Sequence, residues 1–526
     1  MIPAENIRFN SIFFYPILRF SPGQVKPESM NGLKAVKKYA NNGPVIAVCC
    51  ALMGITQAIC LVYSNPDRFL TFSVYFFGDT QNFLAHAQLL LQSSFRDSAP
   101  PFHPPGTAFV LAGWLKLIGD QATNVFVFKL LPMLFLGATI ARAALLVHRM
   151  NGAVSAWITG ILCAFSFGLA VIGSVTCSEI IYLPILLGTL LFIVPGGERS
   201  NRMNWIMLIL AAVASALGWL VRGEHLLLIP VLAIYAAMAG DSWKSRRFVI
   251  RIVIFMVIVC AVITPWTLRN HRVMSQLNSN FSEYETHLPT VIPVTFYGPL
   301  NFALANLPPA NGEFTREALP KSNGSTGLNL MDPVHREFIV NGYSKGFGAL
   351  VNEPGRAVSL MIRNLDLATQ GLGNGFTIRN VPGGWNGIRR PIDIYTPHAT
   401  WFRWILILAA VPGLILLYKK NRSWAILVGV IIIHRLLIIM LFYGYARHGI
   451  LLWPFLAILV GIGVAELIDR IPVKLRPALL VLVIAAGLSM NIGYAFHEKQ
   501  VQVDYQADPV TGAPDQQLAM EFHVSD

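Results

Sequence analysis

Runs of about 20 apolar residues recur along this chain, each long enough to cross a hydrocarbon core roughly 30 Å thick. A segment in lipid must satisfy its backbone polar groups internally, so each run is expected to be a helix. Spans are predicted near 44–63, 124–147, 153–173, 177–195, 204–221, 225–239, 249–266, 402–418, 424–443, 448–465 and 477–496. The fold class is therefore all-α and polytopic, with about 11 transmembrane helices. The composition agrees: of 526 residues, 54% are hydrophobic and only 13% charged, against about 25% charged in a soluble domain.

Segment 106–119 is apolar but short, contains Lys116 and opens after Pro104 and Pro105. A stretch of about 14 apolar residues is more often re-entrant or interfacial than spanning. If it does not cross, the linkers carrying Arg149, Arg199 and Arg202, Lys244, Arg246 and Arg247, Lys419, Lys420 and Arg422, and Arg470, Lys474 and Arg476 share one side. Lys34, Lys37 and Lys38 join them, while the opposite short loops hold little beyond Arg222 and Arg447. By the positive-inside rule the N-terminus is cytoplasmic. The net charge of +13 is then the excess of these loops, and no basic stretch interleaved with aromatics points to nucleic acid.

The predicted organisation follows. Residues 1–43 form a cytoplasmic arm and 44–266 a transmembrane module with outer loop 64–123. Residues 267–401 form a mostly helical outer segment, 402–496 a second transmembrane module and 497–526 a polar outer tail. Re-entrant or juxtamembrane helices are expected in the first outer loop. Within the outer segment, Asp332-Pro333 reads as the cap of an amphipathic helix, a second helix is expected from Pro354, and 371–391 is expected to be a mobile loop. The six cysteines, mostly within apolar runs and without a CxxC pair, read as buried thiols.

Ionisable residues at span ends fall on the outer side in this arrangement. They are Asp79 after the first span, His103 in Phe102-His103-Pro104-Pro105-Gly106, Glu179, Arg222 and Glu224, Arg269, and Arg447 with His448. Arg435 lies deeper, inside 424–443, where an arginine normally faces a cavity or an anionic partner. Singly, these residues have ordinary uses, such as snorkelling arginines and helix-capping acids. Together they suit a site that holds an anion, a phosphate above all, beside a carboxylate base.

The order and spacing of these motifs resemble the GT-C superfamily of polytopic glycosyltransferases. The likeness is to its bacterial branch, related to protein O-mannosyltransferases and the lipid A aminoarabinose transferase, and covers roughly residues 45–470. Asp79, Phe83 and Ala87 match the first-loop pattern, and His103-Pro104-Pro105 the His-Pro-Pro. Ser178-Glu179, Arg222-Gly223-Glu224, Pro265-Trp266-Thr267-Leu268-Arg269-Asn270, and Arg447 ahead of Trp453-Pro454 complete the series. Many relatives have tyrosine where Phe83 stands, and two adjacent acids where this chain has Gly78-Asp79. A divalent metal is therefore not indicated, and no other cofactor is expected.

The resemblance implies a polyprenyl-phosphate-sugar donor used at the outer face of a bacterial inner membrane, with a glycolipid, polysaccharide or protein as acceptor. Transfer would be inverting. Asp79 would be the catalytic base, with Arg269 and Arg447 stabilising the leaving phosphate and Arg435, His448 and Arg222 assisting. His103 and Glu179 would orient Asp79 or bind sugar, with Glu224 beside them. The rival reading is a transporter or lipid-carrier flippase. It would lead one to expect internal repeats and a midplane site, which the sequence lacks, although Arg435 favours it.

Overall fold

The computed structural model describes residues 41–64, 79–93, 97–119, 125–195, 200–239, 244–280, 286–312, 314–322, 328–374 and 397–472. The predicted span 477–496, the tail, nearly all of the N-terminal arm and most of the loop 371–391 lie outside the described residues.

The described chain is helical almost throughout. Helix α1 (Gly43–Ser64) is followed by α2 (Asp79–Gln92), the short apolar α3 (Gly106–Ile118) and α4 (Val125–Asn151). Helices α5 (Ala153–Ala164) and α6 (Phe167–Gly173) are two limbs of one apolar run, bent by 62° at their junction. Next come α7 (Ser178–Ile193), α8 (Asn201–Val221), a 3-10 turn (Gly223–Leu228) leading into α9 (Ile229–Met238), and the long α10 (Arg246–Asn280). The segment beyond carries α11 (Tyr297–Asn306), α12 (Pro333–Asn352) and α13 (Pro354–Asn374). The chain then returns to apolar helices in α14 (Pro397–Lys420), α15 (Arg422–Leu441), the single turn α16 (Ala446–Gly449) with a 3-10 turn (Ile450–Leu452), and α17 (Trp453–Arg470).

Among the described residues, six helices are long and apolar enough to cross a membrane, or seven if the bent pair is one span. Helices α3, α7 and the Gly223–Met238 stretch are shorter apolar helices. The fold is thus all-α and polytopic, although this criterion does not reach the eleven crossings expected. Apolar side chains on the bundle's outside, such as Val249, Val253 and Val257 at successive turns of α10, are more than half exposed. Such a stripe is costly in water and suits lipid.

Local signals set the helix ends. Ser200 accepts from Met203 N at 3.2 Å and Asn421 from Trp424 N at 3.1 Å, capping α8 and α15. Asp332 accepts from Val334 N at 2.8 Å with Pro333 in the first turn, as the sequence predicts for α12. Helix α13 begins at Pro354, also as expected.

The basic linkers gather at one end of the bundle. Arg149 donates to the carbonyls of Leu191 and Val194 at the C-terminus of α7. Lys420 reaches Asn151 at 3.0 Å and Glu466 at 3.3 Å. His148 meets the Asn41 carbonyl at 3.1 Å. The N-terminus of α7, the C-terminus of α8 and the 3-10 turn after it therefore lie at the opposite end. Helix α13 packs there against the α16 turn. A Cβ at Gly371 would collide with the Ala446 carbonyl, and one at Gly449 with the Ala368 carbonyl, so only glycines permit this approach.

Candidate functional site

Two buried polar groups occupy the end opposite the basic linkers, and α2 connects them. The first is built from α7, the turn after α8, α15 and α16. Arg222 leaves α8 at its C-cap in extended backbone, which turns its side chain back across the bundle end. Its Nη1 lies 2.7 Å from Glu179 Oε1 and 3.0 Å from Ser178 Oγ, and its Nε 2.5 Å from Glu224 Oε1. The same Glu224 oxygen accepts from Arg435 Nη1 at 2.7 Å. Arg447 Nε and His448 Nε2 each stand 3.6 Å from Glu179 Oε1. Arg435 Nε donates to the His448 carbonyl at 3.3 Å, tying α15 to α16.

Three guanidiniums thus face two carboxylates in a region where Glu179 is 1% and Arg435 5% exposed. The arginines outnumber the carboxylates, so the cluster keeps a positive excess, which favours an anion. Arg435 Nη2 and His448 Nδ1 are buried with no hydrogen-bond partner among the described residues. Arg435 Nη2 is thus an unpaired buried donor, which is costly, and a ligand oxygen would relieve it.

Behind this cluster sits a histidine that is fully used by the fold. His225 is completely buried, its Nδ1 2.8 Å from Tyr182 Oη and its Nε2 3.0 Å from Ser215 Oγ. His434 Nε2 meets the Glu224 carbonyl at 3.1 Å. These contacts fix the turn that presents Glu224.

The second group lies along one face of α2. Asp79 opens that helix; its backbone is described but its side chain is not. Phe83 and His86 follow one and two turns on, so the three positions share a face. Thr80, 1% exposed, donates to the Thr176 carbonyl at 2.8 Å, three residues before Glu179. The start of α2 is thereby held beside the first cluster. The Phe83 ring lies 5.4 Å from His103, which also meets Phe102 at 4.8 Å and Tyr297 at 5.5 Å. His86 stands 3.6 Å from Asp97 Oδ1 and 6.0 Å from the Trp266 ring.

Arg269 is bonded by its Nη2 to Asp97 Oδ1, lies over the Trp266 ring at 4.6 Å and donates to Asn270 Oδ1 at 3.2 Å. Asp97 lies outside the apolar helices. Burial pushes its carboxyl up, but the His86 ring, the Arg269 guanidinium and the Ala99 N–H outweigh this and hold it below the usual carboxylate range.

The sequence-predicted residues thus fall in two sets. Glu179, Arg222, Glu224, Arg435, Arg447 and His448 converge directly, while Arg269 and His103 join the neighbouring α2 face. Sequence reasoning passes over Asp97, His86, Tyr182 and His225. Asp97 is one acid in outer loop 64–123 with none of the family motifs around it, and His225 is visible only as the last residue of Val221-Arg222-Gly223-Glu224-His225. Among the described residues, no three His, Cys, Asp or Glu side chains are placed to share a metal ion.

Residues 102–266, which include the α3 segment and both Arg222 and Glu224, match the family described as dolichyl-phosphate-mannose-protein mannosyltransferase. This match agrees with the GT-C resemblance carried by the motifs. No curated protein matches the chain by sequence. Among solved structures, the oligosaccharyltransferase of Archaeoglobus fulgidus is similar in its apo form, with TM-score 0.46 and 12% identity over 86% of this chain and 54% of that one. The oligosaccharyltransferase AglB from the same organism, in complex with an inhibitory peptide and a dolichol-phosphate, gives TM-score 0.45 at 13% identity over 86% and 55%. ArnT from Cupriavidus metallidurans bound to undecaprenyl phosphate gives 0.36 at 14% over 80% and 77%. The chain spans about half the length of the oligosaccharyltransferases it matches.

Proposed function

We propose that this protein is an integral-membrane glycosyltransferase of GT-C type. It moves a sugar from a polyprenyl-phosphate-linked donor to a glycolipid, polysaccharide or protein acceptor on the outer face of the membrane. The observation that carries this reading is the buried set of Glu179, Glu224, Arg222, Arg435 and Arg447 at the bundle end away from the basic linkers, with the start of α2 bonded beside it. The family match over 102–266 supports the same class.

In the proposed reaction Asp79 takes the proton of the acceptor hydroxyl as it attacks the anomeric carbon. The bond from that carbon to the lipid phosphate breaks with inversion. Arg269 and Arg447 stabilise the phosphate as its charge develops, backed by Arg435, Arg222 and His448. Glu179 and Glu224 hold the arginines in place, and His103 orients the base or the sugar. Helix α13 over the α16 turn limits water at the site, which protects the donor from hydrolysis. No resident metal is part of the scheme.

The test is release of undecaprenyl phosphate from radiolabelled donors by the purified protein, with acceptor extracts from its host. Transfer releases the carrier and moves label to the acceptor. A flippase, the rival reading, moves intact donor across a vesicle wall and releases nothing. Arg435 favours that rival less than its position suggests, since Glu224 and the His448 carbonyl already engage it.

A further inference from the structure

We propose that Asp97 is the internal counter-anion of the donor site: its carboxylate holds Arg269 until a lipid phosphate displaces it, and so sets the affinity for the donor. This rests on the reading of Arg269 as a ligand of the donor phosphate. Three observations support the exchange.

First, the pair is buried but incompletely matched. The side chains are 2% exposed at Asp97 and 12% at Arg269. Of the side-chain oxygens only Oδ1 engages Arg269, and it also takes the Ala99 N–H at 3.0 Å. Asp97 Oδ2, Arg269 Nε and His86 Nε2 are buried without hydrogen-bond partners among the described residues. A phosphate offers more oxygens to the guanidinium fork and matches it through two parallel bonds.

Second, Arg269 is held in place without Asp97. The Trp266 ring lies beneath its guanidinium and Asn270 Oδ1 accepts from Nη1. Asn270 is in turn fixed by its Nδ2 donating to the Ile292 carbonyl at 3.0 Å. The cation therefore keeps its position when the carboxylate leaves.

Third, the two partners sit on unlike supports. Arg269 stands on the 35-residue helix α10. Asp97 stands on irregular chain running to Pro104. The backbone of that stretch is tied, with the Asp97 carbonyl accepting from Arg269 Nη2 at 3.3 Å and the Pro101 carbonyl from Phe296 N at 3.1 Å, so the exchange falls to the Asp97 carboxylate, whose departure frees the Ala99 N–H. The same stretch carries His103, so donor binding would be felt at a second predicted site residue.

The experiment measures binding of undecaprenyl phosphate, without sugar, to the full chain in phosphatidylcholine nanodiscs. The proteins compared are wild type, Asp97→Asn, Asp97→Ser, Arg269→Ala and the double variant Asp97→Asn with Arg269→Ala. Either Asp97 variant should bind on the order of tenfold more tightly than wild type, since a charge-assisted competitor for the guanidinium is gone. Arg269→Ala should bind more weakly, and the Asp97 change should have no effect in its background. A purely structural clasp would share that dependence on Arg269 but would make the Asp97 variants bind more weakly, not more tightly. Wild type supplies a check that needs no variant: hydrogen exchange across residues 97–102 should quicken when undecaprenyl phosphate binds.

Binding that weakens in Arg269→Ala but is unchanged or weaker in the Asp97 variants overturns the proposal and leaves the donor site standing. Binding by wild type with exchange at 97–102 unchanged overturns it in the same way. If wild type and all variants bind alike, or none binds, the donor-site reading fails and the counter-anion falls with it.

Discussion

Glu224 Oε1 accepts from two arginines at once, Arg222 Nε at 2.5 Å and Arg435 Nη1 at 2.7 Å. The contact joins the turn after α8 to the middle of α15 across 211 positions of sequence. It explains how an arginine is accommodated within an apolar span, because a buried charge is tolerated when it is paired and hydrogen-bonded.

The asymmetry of this junction sets an order of stabilities. Glu224→Ala removes the only carboxylate that Arg435 meets among the described residues and strands a buried cation. Breaking such a pair costs on the order of 3–5 kcal/mol. Arg435→Ala leaves Glu224 paired with Arg222 and is expected to cost less. Thermal unfolding of the detergent-purified variants should place Glu224→Ala well below Arg435→Ala. The reverse order would mean that Arg222 alone does not compensate Glu224.

The Asp97 pair gives a pH dependence with a definite sign. A carboxyl held lower in the folded than in the unfolded state adds stability above its unfolded value and loses it as pH falls through its folded value. Asp97 is held low, and an unperturbed aspartate titrates near pH 3.9. Its contribution is therefore complete at neutral pH and lost only below about pH 4. Melting temperatures of wild type and Asp97→Asn, followed from pH 7 downward, should converge as acid removes this contribution. A gap that widens toward acid would contradict the lowered carboxyl.

What was legible in the sequence divides by range. The capped start of α12 at Asp332-Pro333 and the start of α13 at Pro354 are local, because a proline and a capping carboxylate set a helix N-terminus within one turn. The apolar spans are equally local, since hydropathy is summed over neighbours. An arginine at position 435 signals that a partner must exist, but its identity depends on how α15 packs against the turn after α8. Arg269 shows the limit best. Its motif points to an anion, yet the anion it meets is Asp97, from a part of outer loop 64–123 that carries no motif. The bend between α5 and α6 was also hidden, because Ser166, which caps α6 by accepting from Leu169 N at 3.2 Å, reads as a lone polar residue in an otherwise apolar run.

The sidedness of the bundle can be tested by cysteine labelling in a cysteine-free background. Ser98 and Asn311 are exposed in segments placed at the site end, whereas Lys419 is exposed at the basic end. Ser98→Cys and Asn311→Cys should react with an impermeant maleimide added to intact cells, and Lys419→Cys only after lysis. Thr80, although it lies in the first predicted outer loop, is 1% exposed and should stay unlabelled on either side. Labelling of Lys419→Cys in intact cells, with Ser98→Cys protected, would reverse the orientation and put the proposed site on the cytoplasmic face.

The proposed base gives the sharpest test. Asp79 opens α2, and the next residue is bonded to the Thr176 carbonyl beside the Glu179 cluster. One turn further along α2, Phe83 contacts the His103 ring. The aspartate position therefore stands between the arginine-rich group and the His103 aromatic group, where an acceptor hydroxyl would meet a phosphate-linked sugar. Asp79→Asn keeps size and polarity but cannot take the proton. The expected loss is on the order of 10²–10⁴ in turnover, the usual worth of a positioned base. Binding of undecaprenyl phosphate should survive, since every proposed cation remains. The stability cost should be small, within about 1 kcal/mol, because the change removes only a carboxylate from the first turn of a helix. Asp79→Glu should recover part of the activity if its longer arm still reaches the acceptor. A folded Asp79→Asn protein that binds the carrier and turns over at the parental rate would remove Asp79 from the mechanism. Glu179 and Glu224 are already engaged by arginines, so the search for a base would then move to the acceptor side of the α2 face.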